Sequence, residues 1–163
     1  MKKILIALAL FSSLSVSANQ DAEVLGLIFG STCEETVQKL NKDYGTPKSQ
    51  SADKLVYLNE MFEGFKADRV ELGFQDLQGT TKLNQARFYF VCPNKAAAIA
   101  RMKSLVKKME THYSVSYDEE DGGTAFYKGG NSPLGIGCLF TIFVSPYQGK
   151  WTCQLRYGKF QFK

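Results

Sequence analysis

The sequence predicts an α+β fold, an antiparallel sheet with two helices on one face. Two segments place apolar residues at helical spacing between a capping signal and a stop, and several others alternate apolar with polar residues. The helix starts, near 32 and 95, each precede a run of strand-like segments. That order reads helix-strand-strand-strand twice, a tandem α-β-β-β arrangement of elements without residue-level similarity between the halves.

Residues 1–18 come first and stand apart. Lys2 and Lys3 precede the uncharged apolar run 4–11, and Val16-Ser17-Ala18 offers the small residues a signal peptidase prefers. The run is too short to cross a bilayer, which takes roughly 20 residues. Cleavage after Ala18 is therefore expected, leaving one domain, 19–163, in the periplasm or secreted. No cysteine marks a lipoprotein anchor at that cut, and no later segment reads as a membrane span.

A leading strand over 23–29 is followed by a helix over 32–44. Ser31-x-x-Glu34 and Thr32-x-x-Glu35 both offer a capping box, and Cys33, Val37, Leu40 and Tyr44 form a narrow stripe of about 60°. Gly45 and Pro47 stop it. Strands are expected over 54–58, 69–75 and 86–92, with 59–67 as a connection unusually rich in apolar residues. A second helix starts at the N-cap Asn94, with Ile99, Met102, Val106, Met109 and Tyr113 inward and Arg101 and Lys108 in solvent. Strands over 113–117, 124–128, 136–145 and 151–157 complete the reading.

Four cysteines, Cys33, Cys92, Cys138 and Cys153, fall after the cleavage point. In an oxidising compartment an even number reads as two disulfides, with three possible pairings. A turn at Ser145-Pro146 would set Cys138 opposite Cys153, leaving Cys33 to reach Cys92, whereas a loop through Gly149 would shift that register.

Gly26-Leu27-Ile28-Phe29-Gly30-Ser31-Thr32-Cys33-Glu34-Glu35-Thr36-Val37 resembles the "G-x-x-[FW]-G-[MS]-[ST]-x-x-E-[VT]" opening of many small secreted bacterial domains. With the doubled order of elements, the chain is similar to the β-lactamase inhibitor protein and to the accessory lipoprotein of the outer-membrane β-barrel assembly machine. The resemblance implies a fold and a habit of binding other proteins, and it transfers no site residue. The chain lacks the lipoprotein cysteine.

Chemistry-bearing constellations are sparse. The lone histidine, His112, falls at the end of the second helix, where an imidazolium suits the helix dipole, and no nucleophile elbow accompanies it. Asp118-Glu119-Glu120-Asp121 lacks the ligand spacing of an EF-hand and reads as a solvated turn. The glycine-rich 129–137 segment runs into a strand and has no G-K-[ST], unlike a phosphate loop. Metal sites with closely spaced cysteine pairs are missing from the sequence. The formal charge of +4, or +2 without Lys2 and Lys3, argues for no nucleic-acid partner. Phe62, Phe65, Tyr147 and Trp151 sit in or beside connections, where aromatic rings suit a protein interface. The expectation is a non-enzymatic domain that binds another protein without a cofactor, as an inhibitor, immunity-type protein or envelope-assembly accessory. The alternatives are a carrier of a small apolar ligand or lipid, and a small hydrolase using His112.

Overall fold

A computed structural model describes residues 22–120 and 124–163. The predicted leader, 1–18, lies outside the described residues. In chain order the elements are β1 (Glu23–Val24), β2 (Leu27–Ile28), α1 (Cys33–Leu40), β3 (Ser49–Ser51), β4 (Lys54–Phe62), β5 (Phe65–Leu77) and β6 (Thr80–Cys92). They continue with α2 (Lys95–Met109), β7 (Val115–Glu120), β8 (Thr124–Asn131), β9 (Cys138–Tyr147) and β10 (Lys150–Tyr157). The fold is α+β, as expected. Strands β3 to β10 form one eight-stranded sheet in the order β3-β4-β5-β6-β10-β9-β8-β7. Every pairing in it is antiparallel. The last strand before α2 and the last strand after it, β6 and β10, meet at the centre.

The capping signals act as read. Thr32 Oγ1 accepts from the Glu35 N–H at 3.2 Å, and Glu35 Oε2 accepts from the Thr32 N–H at 2.7 Å, closing the capping box of α1. Asn94 Oδ1 accepts from the Ala97 N–H at 2.8 Å at the start of α2. α1 ends at Leu40, earlier than the sequence suggests, but Tyr44 still closes back through its N–H to Leu40 O at 2.7 Å. Its hydroxyl donates to Met61 O and its ring meets Tyr57 edge-on.

The segment 59–67, expected to be a connection, is instead a hairpin. β4 runs on to Phe62, β5 begins at Phe65, and Glu63-Gly64 makes the turn with both φ angles positive, 51° and 84°. Two positive φ values suit the right-handed twist of the flanking strands, and glycine takes the second without steric cost. Gln148-Gly149 turns β9 into β10 in the same way. The turn predicted at Ser145-Pro146 is therefore strand. The acidic turn is corrected too, because Asp118 and Glu119 belong to β7, while the 121–123 tip lies outside the described residues.

That later turn decides the cysteines. Val144, not Cys138, stands opposite Cys153, and Cys138 lies six residues further along β9, about 20 Å of strand. Thr32 bridges Lys82 at the start of β6, ten residues from Cys92, or about 33 Å. A disulfide needs Cα atoms within about 7 Å. Both expected pairings, 33–92 and 138–153, are corrected, and all four cysteines are free. Cys92 and Cys153 are instead diagonal neighbours on β6 and β10.

One apolar cluster fills the sheet face under α2. Val70, Leu72, Ala86, Phe88, Phe90, Leu155, Ile142 and Phe140 meet Met102, Leu105, Val106 and Met109 of the helix. Leu40 of α1 joins the same cluster. Full burial of such side chains stabilises by roughly 1.5–3 kcal/mol each, relative to exposure.

Candidate functional site

Alternation along each strand sends every second side chain to the face turned away from α2. Strand register aligns those side chains in two rows. One runs Leu58, Arg69, Tyr89, Gln154, Phe143, Phe126 and Asp118 across β4 to β7. Beside it run Val56, Glu71, Arg87, Arg156, Thr141, Lys128 and Ser116.

The rows interlock. Arg69 Nε donates to Glu71 Oε1 at 2.7 Å, and the Tyr89 hydroxyl donates to Glu71 Oε2 at 3.3 Å. Tyr89 packs on Tyr147 with ring centroids 4.5 Å apart, and the Arg156 guanidinium lies 4.8 Å over the Phe143 ring. Gln154 Nε2 donates to Thr152 Oγ1 at 2.9 Å, and that hydroxyl donates to Ser145 O at 2.7 Å. Lys128 pairs with Asp118.

This face is polar yet close-packed. Tyr89 is 3% exposed and Gln154 9%, values low for polar side chains on the face turned away from α2. Burial, with the Glu71 charge adding to it against the Arg87 guanidinium, raises the Tyr89 phenol above its ordinary value. Arg69 stays firmly protonated, since the Glu71 carboxylate outweighs the cost of its burial. Arg87 differs from its neighbours, for its Nε is buried and finds no hydrogen-bond partner. Leu58 and Val91 are large apolar side chains exposed on this face, at 37% and 41%.

The aromatic residues singled out from sequence do not share a patch. Phe62 is 6% exposed and stacks at 4.2 Å on Phe88, so it is a core residue. Phe65 lies on the α2 side, edge-on to Phe90 and beneath the Arg101 guanidinium. Trp151, opposite Cys92, is also on the α2 side, with Lys95 Nζ 5.5 Å from its ring centroid. Tyr147 alone belongs to the two-row face. Arg69, Glu71, Arg87, Tyr89 and Arg156 were readable only as the polar half of each strand's alternation.

A cleft of ≈1520 Å³ opens between the β1–β2 hairpin, the end of α1, the end of α2 and β8. Buried Tyr157 and Leu139 reach it from the core, while Glu23, Asp43, Glu63 and His112 also line it. His112 Nε2 stands 3.6 Å from Glu63 Oε2, which Lys108 also approaches, at 3.4 Å. Among the described residues no hydroxyl or thiol hydrogen-bonds to the imidazole, and no group of His, Cys, Asp and Glu could hold a metal ion. No helix among the described residues is long and apolar enough to cross a membrane.

No family model, curated protein or solved structure matches the chain.

Proposed function

We propose that this is an exported, non-enzymatic protein-binding domain, with both helices on one sheet face and the opposite face as the contact surface. The observation that carries the reading is the pair of rows on β4 to β10, which joins Tyr147, Tyr89 and Phe143 to three arginines. Tyrosine and arginine concentrate binding energy at protein interfaces. Here their rotamers are already held by stacking and hydrogen bonds, so docking orders few side chains. Export rests on Lys2, Lys3, the 4–11 run and Val16-Ser17-Ala18. The doubled order of elements supports a tandem arrangement joined at β6 and β10, and an inhibitor, immunity-type or envelope-assembly role fits such a domain.

The test is comparative capture from an envelope extract. A partner held by the wild-type protein and by Trp151→Ala, but lost with the double variant Phe143→Ala, Tyr147→Ala, supports the surface. Equal capture by all three refutes it.

The cleft favours one second reading, a small-ligand carrier. Its carboxylates and histidine suit a ligand with polar groups better than a bare acyl chain. Native mass spectrometry distinguishes a carrier, which arrives with its ligand bound, from a domain that arrives empty.

A further inference from the structure

The contact surface proposed above also has a chemical preference. Along its two rows four cations, Arg69, Arg87, Arg156 and Lys128, accompany two carboxylates, Glu71 and Asp118. Asp118 is taken by Lys128, and Glu71 is already hydrogen-bonded by Arg69 and Tyr89. Arg87 stands directly opposite Glu71 on the neighbouring strand, yet its Nε is buried without an acceptor. The rest of its guanidinium hydrogen-bonds the Tyr89 side chain, and Arg87 forms no ion pair among the described residues, so an incoming carboxylate would supply the charge partner it lacks.

We infer that this face docks a protein segment bearing exposed carboxylates, one of which reaches the Arg69–Arg87 region while apolar groups beside it meet Tyr147, Val91 and Leu58. The inference rests on the binding reading given above. Arg69 and Arg87 stand diagonally on adjacent strands, and a guanidinium fork matches the planar two-oxygen geometry of a carboxylate. A second copy of the chain laid face to face would set these cations against one another, which disfavours self-docking. A nucleic-acid backbone calls for an uninterrupted cationic track, and Glu71 and Asp118 interrupt this one.

The test uses the whole protein with a fluorescein-labelled octaglutamate peptide, followed by anisotropy, and with its octaglutamine counterpart. The octaglutamate is expected to bind, weakening as salt rises, and the octaglutamine is not. The double variant Arg69→Gln, Arg87→Gln should weaken that binding by about tenfold. The control Lys103→Gln, Lys107→Gln, on exposed positions of α2, should leave it unchanged. Equal binding of both peptides, or equal loss in the control, overturns the inference. Arg87→Met serves where the double variant fails to fold. Envelope capture separates the two claims. If Phe143→Ala, Tyr147→Ala abolishes capture and the arginine variants do not, the surface stands and its acidic preference is wrong. If neither set affects capture, the surface itself is wrong.

Discussion

Glu71 and Arg87 face each other across β5 and β6, but the carboxylate is engaged by Arg69 and Tyr89 and Arg87 keeps a buried Nε without an acceptor. Stability and binding therefore pull in opposite directions at Arg87. Arg87→Met removes the unsatisfied donor and is expected to raise the unfolding free energy by about 1 kcal/mol while weakening partner capture. Glu71→Gln does the reverse for stability, taking the charged acceptor from Arg69 and Tyr89, at about 1–3 kcal/mol. Urea unfolding of both variants provides the measurement, and a stabilised Glu71→Gln would contradict the assignment.

The capping box of α1 gives a pH dependence whose sign is fixed. Hydrogen bonds from the Thr32 N–H, then from its hydroxyl, hold the Glu35 carboxyl below its ordinary value. Its folded-state pKa is depressed, so its contribution is present above the ordinary glutamate range and is lost as pH falls through the lowered value. Urea midpoints measured from pH 6 down to about 3 should fall less steeply in Glu35→Gln than in the wild type. Thr32→Ala should cost about 1 kcal/mol at neutral pH.

Much of this architecture was legible in the sequence, and the failures share a cause. Caps at Thr32 and Asn94 and the alternation of Val70, Leu72 and Phe74 are local signals, and they hold. The β4–β5 hairpin was hidden because Asn59 takes a positive φ of 62°, interrupting the strand's alternation before Phe62. The 138–153 pairing failed because the β9–β10 turn falls at Gln148-Gly149, and a turn's position sets the register of everything beyond it, while 33–92 failed because Thr32 bridges Lys82 at the opposite end of β6 from Cys92. The surface needed strand order. Arg69, Arg87 and Arg156 lie far apart in sequence and become neighbours only because β6 pairs with both β5 and β10.

The thiols follow from that register. Cys153 is fully buried, and burial first, with Cys92 beside it, pushes its thiol up to about 12. Iodoacetamide at neutral pH should therefore modify partly exposed Cys138 and spare Cys153 until the protein is unfolded. Peptide mapping after refolding in a glutathione buffer should find no 33–92 or 138–153 linkage. Either one would contradict the register of β6, β9 or α1.

Close packing between β7, β8 and β9 sets another test. A Cβ built on Gly129 would lie 2.6 Å from Phe140 Cζ and 2.9 Å from the Ser114 backbone oxygen. The ring can shift, but the backbone oxygen resists. Gly129→Ala should destabilise by roughly 1–3 kcal/mol in chemical denaturation, and an unchanged midpoint would mean that β8 sits further from β9 than described.

Photo-crosslinking tests the contact surface most directly. Benzoylphenylalanine placed at Val91, exposed on the two-row face, and at Lys103, exposed on α2, reports which side of the molecule meets the partner in an envelope extract. A discrete crosslinked species is expected from position 91 and none from position 103. A species formed from 103 alone would contradict the contact surface.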